Sequence, residues 1–155
     1  SVLLDAARSV ASVEVTDEVV QAGLVLLRHS NPGKRWPDVT ACLRPTQEVV
    51  EAAMAVLDER GTEGHWVQAS VVVSIVAVNT PDLSAEMKRR VIDLVHRYSE
   101  QRFAVPTEVI QGLTKWSLKG FYDEVATMVN ASKWFRVQLY SSESGTLNLR
   151  EMIGV

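Results

Sequence analysis

The sequence has little of what a disulfide-linked, metal-binding or catalytic protein usually carries. It contains one cysteine, Cys42, so neither an internal disulfide nor a paired-thiolate zinc site can form. The three histidines, His29, His65 and His96, are too far apart in sequence for an HExxH pair on one helix. We therefore predict no metal site, and the lack of disulfide partners favours a reducing, cytoplasmic location.

Motifs for nucleophilic catalysis and for phosphate binding are also missing. No GxSxG elbow, GxxxxGK[ST] loop or GxGxxG turn occurs in the chain. The prediction is a protein that is not an enzyme, with no catalytic residue and no cofactor. The alternative is an enzyme whose site is assembled from distant segments, with candidates such as His65, Asp93, His96 and Glu100.

No apolar run is long enough to cross a bilayer. The most apolar stretch lies within residues 66–78, whereas a membrane-spanning helix needs about 20 residues. We predict no membrane contact and a buried helix here, because Ala69, Ser70, Ser74 and Ala77 would share one face of small residues. The alternative is a buried strand, since valine and isoleucine favour strands. That alternative would change the fold class to α+β.

Helical periodicity dominates the rest of the chain. Apolar residues recur at spacings of three and four between proline and glycine punctuation, with Thr16 or Asp17 and Thr46 as N-terminal caps. Gly120 marks a kink or break. Composition is that of a globular protein, at 46% hydrophobic and 23% charged residues. We predict a mainly α single domain over residues 1–155, a bundle of about five or six helices.

The two ends of the chain differ from this pattern. Two arms are predicted, a short amphipathic one at residues 1–15 and a second at residues 134–155. Apolar and polar residues alternate with a period of two in 134–140 and again in 146–149, around a turn at 141–145. This alternation predicts a short C-terminal β-hairpin. A lone hairpin is barely stable in water, so it would pack on the helices or on another chain.

Charge is the feature that most suggests a partner. The net charge of −3 means that nucleic-acid binding would require a local basic patch. Cations cluster around two segments, and an aromatic residue adjoins the first; the candidate contacts are Arg28, Lys34, Arg35, Trp36, Lys88, Arg89 and Arg90. Arg97 and Arg102 extend the second cluster. A third, thinner cluster is interleaved with Trp116, Trp134 and Phe135, and its cations are Lys115, Lys119, Lys133 and Arg136. The alternative is that all these cations face water and pair with nearby acids.

Three functions follow from these features. The first is a non-enzymatic helical assembly or protein-interaction domain that associates with itself through its ends. The second is a structural protein of coat or nucleocapsid type that contacts single-stranded nucleic acid through the basic clusters. The third is an enzyme without a local signature. The first is the function that the sequence favours.

Overall fold

The computed structural model describes residues 15–29, 36–60, 66–141 and 149. These residues form helices and no strand, so the predicted mainly α class is confirmed. By contacts the chain divides into two compact units, Ser1–Ser84 and Ala85–Val155. The prediction of one domain over residues 1–155 stays a prediction.

Four helices build the first unit within its described residues. They are α1 (Asp17–His29), α2 (Trp36–Ala41), α3 (Gln47–Arg60) and α4 (Trp66–Val78). Helix α3 packs against α1 and α4, and α2 packs against α1 and α4. The predicted caps hold: Thr16 Oγ1 accepts the Val19 N–H and Thr46 Oγ1 accepts the Val49 N–H, both at 3.3 Å. Each cap satisfies an amide that has no partner inside its helix.

Residues 66–78 are a helix, as predicted, and ten of its 13 residues are buried. Its serines are satisfied within the helix, because the Ser70 hydroxyl donates to the Trp66 carbonyl and the Ser74 hydroxyl to the Val71 carbonyl, both at 2.8 Å. Valine-rich sequence forms a helix here because packing on several sides outweighs the modest intrinsic preference of valine for strands.

Helix α1 approaches the end of α2 very closely at Gly23. A Cβ atom on Gly23 would lie 3.0 Å from Leu43 Cδ2 and 3.1 Å from Cys42 Cβ. Cys42 itself is fully buried, and its thiol donates to the Asp38 carbonyl at 3.3 Å. The only cysteine is therefore a packing residue of the first unit.

The second unit follows the order α5 (Ala85–Glu100), α6 (Thr107–Trp116), a kinked turn (Ser117–Phe121), α7 (Tyr122–Ala131) and α8 (Lys133–Ser141). Helix α5 packs against both α7 and α8. The predicted kink at Gly120 is confirmed, since Gly120 has a φ of 100° and Lys119 also leaves helical geometry. Such a φ suits glycine, which has no Cβ to clash.

The predicted first strand of the C-terminal hairpin is wrong, because residues 134–140 lie inside α8. Phe135 and Leu139 are fully buried, whereas Val137 between them is 47% exposed. Phe135 and Leu139 are four apart, a spacing that fits one face of a helix as well as one face of a strand. Residues 142–148, which include most of the predicted second strand, lie outside the described residues, and so do residues 1–14 of the N-terminal arm.

Candidate functional site

The predicted contact residues fall in both units. Arg28 lies on α1 and pairs with Glu59 of α3, with Nη2 3.1 Å from Oε2. Lys34, Arg35 and the side chain of Trp36 lie outside the described residues. The remaining three, Lys88, Arg89 and Arg90, lie on α5 in the second unit. Of the seven predicted residues, the structure places Lys88 and Arg89 around one common feature, an aromatic ring.

That ring is Phe121, which sequence reasoning did not single out. The Lys88 ammonium lies 5.0 Å from the Phe121 ring centroid and 5.8 Å from that of Trp116. The Arg89 guanidinium lies 5.8 Å from the same Phe121 centroid. We call these four residues the Phe121 cluster. Its cations are held beside π faces, an arrangement worth about 0.5–1 kcal/mol where exposed.

A second group joins Arg102 and Lys133 to Trp134, and we call it the Trp134 cluster. The Arg102 guanidinium lies 4.1 Å from the Trp134 ring centroid, and the Lys133 ammonium lies 5.2 Å from it. Arg102 follows α5 with a left-handed φ of 62°, and its N–H donates to the Ser99 carbonyl at 3.0 Å. This turn at the helix end is what directs Arg102 toward α8.

Helices α5 and α7 line an open groove of about 420 Å³, which we call the α5–α7 groove. Its apolar lining comes from Ile92, Met128 and Ala131. The side chains of Ile92 and Met128 are buried and only their edges reach the groove, whereas Ala131 is exposed. A groove of this size lies within the range of sites that hold a small organic group or a side chain.

The charged lining of the groove is mainly acidic. Asp93 of α5 is paired with Arg97, with Oδ2 3.0 Å from Nε. Asp123 and Glu124, in the first turn of α7, form no ion pair with any residue that the structure describes. Arg89 also lines the groove while contacting Phe121. The groove therefore offers, beside its apolar surface, two carboxylates that pair with none of the described residues.

A histidine–serine contact lies at the same groove, and sequence reasoning missed it. His96 Nδ1 is 2.6 Å from Ser132 Oγ, and the Ser132 hydroxyl donates to the Met128 carbonyl at 2.7 Å. The donor in the contact between His96 and Ser132 is set by the tautomer of the histidine ring. Ser132 is fully buried. A nucleophilic serine needs a hydroxyl that substrate can reach, so this buried contact orients His96 and caps the end of α7.

The distant residues considered for an enzyme are only partly placed. Asp93 and His96 both line the groove, whereas His65 lies outside the described residues. Within the described ranges, no group of three histidine, cysteine, aspartate or glutamate side chains is placed to hold a metal ion. No helix in the part of the chain that the structure describes is both long and apolar enough to span a bilayer.

Comparison with known protein families, with curated proteins and with solved structures finds no match for this chain.

Proposed function

We propose that the protein is a self-associating helical interaction domain whose role is structural and not enzymatic. The observation that carries the proposal is the set of large apolar side chains left in water by the second unit. Leu118 is 71% exposed, Tyr122 43%, Val137 47% and Tyr140 66%. Aromatic residues are enriched at protein interfaces, and a contiguous apolar patch marks a contact site more often than a single exposed residue does.

These four side chains form two pairs that are close in sequence, Leu118 with Tyr122 and Val137 with Tyr140, and the second pair lies on one helix, α8. Val137 and Tyr140 are three residues apart and share the helix face opposite buried Phe135 and Leu139. Lys133 begins the same face one turn earlier. Two copies of α8 packed antiparallel about a two-fold axis would bring the apolar pairs together and hold the two lysines at opposite ends. A second copy therefore suits this face, because its apolar centre is covered and its like charges stay apart.

Replacing both Val137 and Tyr140 by serine is expected to weaken self-association at least about tenfold, the effect of losing about 1.4 kcal/mol of binding free energy. The physical reason is the apolar area that no longer leaves water, at about 25 cal/mol per Å². Sedimentation velocity over a series of protein concentrations measures the change. Both side chains are exposed, so the unfolding free energy of the variant is expected to stay within about 0.5 kcal/mol of the parent.

Val25→Ser provides the matched control for this experiment. Val25 lies on α1 in the first unit and is 46% exposed, nearly the same as Val137. The control is expected to associate as the parent protein does. Equal self-association by the parent and the double variant would contradict a role for the α8 face.

A second candidate function is the binding of single-stranded nucleic acid, as in a coat or nucleocapsid-type protein. What favours it is the pairing of cations with aromatic rings in the Phe121 and Trp134 clusters. Aromatic rings stack with unpaired bases and cations contact phosphates, so the combination suits a flexible single strand. Under this proposal the single-stranded nucleic acid is a partner of the assembled protein.

Neutralising Arg102 and Lys133 together is expected to weaken binding of a labelled single-stranded oligonucleotide and to flatten its salt dependence. The slope of the logarithm of the binding constant against the logarithm of the salt concentration is negative, and loss of two phosphate contacts reduces its magnitude by about 1.4 for a single strand. Fluorescence anisotropy at a series of salt concentrations measures this slope for the Arg102→Gln, Lys133→Gln variant.

The matched control is the Lys115→Gln, Lys119→Gln variant. It changes the net charge by the same amount, and neither lysine belongs to the Phe121 cluster or the Trp134 cluster. If this control flattens the slope as much as the cluster variant does, binding depends on overall charge alone. Absence of oligonucleotide binding by the parent protein at low salt would contradict the second candidate function outright.

A further inference from the structure

We propose that the α5–α7 groove receives the segment Lys34–Arg35–Trp36 of a second copy of the chain. This inference rests on the self-association proposed above and gives it a second contact, between the first unit of one copy and the groove of the next. The juxtaposition that supports it is an apolar groove flanked by Asp123 and Glu124, two carboxylates that have no ion-pair partner among the described residues.

Charge complementarity selects this occupant from the rest of the chain. Two neighbouring carboxylates are best matched by two neighbouring cations. Adjacent cations occur in two places in the sequence, at residues 34–35 and at residues 88–90. The second place is on α5, the helix that itself forms one wall of the groove, and Arg89 lines it. Lys34 and Arg35 are therefore the cationic pair that a second copy can bring to Asp123 and Glu124.

The apolar part of the groove suits the third residue of the segment. Trp36 follows the two cations directly in the sequence, so this one segment carries both an apolar side chain and two positive charges. Exposed Ala131 and the small accessible parts of buried Ile92 and Met128 line the groove there. Methionine sulfur makes favourable contacts with aromatic rings, and tryptophan is among the residues that most often anchor protein interfaces. The volume of about 420 Å³ is compatible with a single large side chain.

A contact of this kind joins two different surfaces, so it is heterologous. Each copy would offer one segment and one groove, and association would continue from copy to copy. Heterologous contacts close into rings when the rotation between copies permits and otherwise extend as filaments. Combined with pairing through α8, this contact would produce assemblies larger than a dimer.

Charge reversal tests the inference directly on the whole 155-residue chain. One variant carries Lys34→Glu and Arg35→Glu, which makes its segment acidic. The other carries Asp123→Lys and Glu124→Lys, which makes its groove basic. Each variant alone is expected to associate at least tenfold more weakly than the parent, because like charges then meet. An equimolar mixture of the two is expected to recover assemblies, since each segment again meets a groove of opposite charge.

Two further variants keep the test independent of folding and of net charge. Asp123→Asn with Glu124→Gln removes the charges with little change of shape, and we expect weakening intermediate between the parent and the reversed groove. Glu48→Lys with Glu51→Lys makes the same charge change on the exposed face of α3, and we expect no effect. Circular dichroism and thermal unfolding of every variant identify any that does not fold. If the variant with Asp123→Lys and Glu124→Lys does not fold, the variant with Asp123→Asn and Glu124→Gln takes its place in the comparison with the parent.

Each outcome of the mixing experiment decides the question. Recovery of assemblies on mixing supports the contact between copies. Two weakened variants that stay weak when mixed would overturn it, as would parent-like association by both variants alone. If both variants alone associate as the parent does, the protein self-associates but does not use this contact. A parent protein that is monomeric at every concentration would instead overturn the proposed function and this inference together.

Discussion

Alanine at Phe135 or Leu139 is expected to destabilise the protein strongly, whereas alanine at Val137 is expected to change little. Phe135 and Leu139 are fully buried, and Val137 is 47% exposed. Removing a buried phenylalanine or leucine side chain costs about 2–5 kcal/mol of unfolding free energy, from lost transfer energy and the cavity left behind. An exposed substitution usually stays within about 0.5 kcal/mol. Urea denaturation of the three variants measures these differences.

The pattern of the three effects separates a helix from a strand. On a strand, Phe135, Val137 and Leu139 would point to the same side, and all three alanine variants would behave alike. On the helix α8, the middle residue lies on the opposite side from the other two. Destabilisation by Val137→Ala equal to that by Phe135→Ala would contradict the helix, while a large, small, large series would support it.

Aspartate at Val72 is expected to destabilise the first unit severely and to unfold much of it at 25 °C. Val72 is fully buried near the middle of α4, and the residues on either side of it are buried as well. An ionised carboxylate there would lose its hydration without gaining a partner, at a cost of several kcal/mol. Since a domain is stable by only about 5–15 kcal/mol, this single change removes much or all of the margin. Far-ultraviolet circular dichroism measures the loss of helix.

Val72→Thr is the matched control, since threonine has nearly the shape of valine and no charge. Its hydroxyl can donate to a carbonyl of the preceding turn, as Ser70 does to Trp66. We expect the threonine variant to fold and to lose about 1–3 kcal/mol of stability. A Val72→Asp variant with the stability of the parent would show that α4 is not enclosed by the other helices.

Much of the helical architecture was predictable because local and tertiary signals agree. The caps at Thr16 and Thr46 and the kink at Gly120 follow from short stretches of sequence. The buried helix at residues 66–78 was predicted with a strand as the alternative, because valine and isoleucine favour strands. The hairpin prediction failed for a definite reason. Over so few residues, Phe135 and Leu139 satisfy both a period of two and a spacing of four, and only contacts with the rest of the second unit select the helix.

The candidate surfaces were predictable in part. Lys88, Arg89 and Trp36 stand out in the sequence because charge and aromatic character are visible without a fold. The α5–α7 groove is not visible there, since it arises from the packing of two helices about 30 residues apart in sequence. The same holds for the contact between His96 and Ser132 and for the cations around Phe121, which depend on how α5 faces the kinked turn.

The concentration dependence of the molar mass of the 155-residue chain tests self-association most directly. Light scattering coupled to size-exclusion chromatography, repeated over a wide range of loading concentrations, measures it without any variant. We predict a weight-average mass that rises above that of one chain as concentration increases, and that rises only at higher concentrations when Val137 and Tyr140 are both serine. A mass that stays at one chain at every concentration would contradict the proposal that this protein builds assemblies of itself.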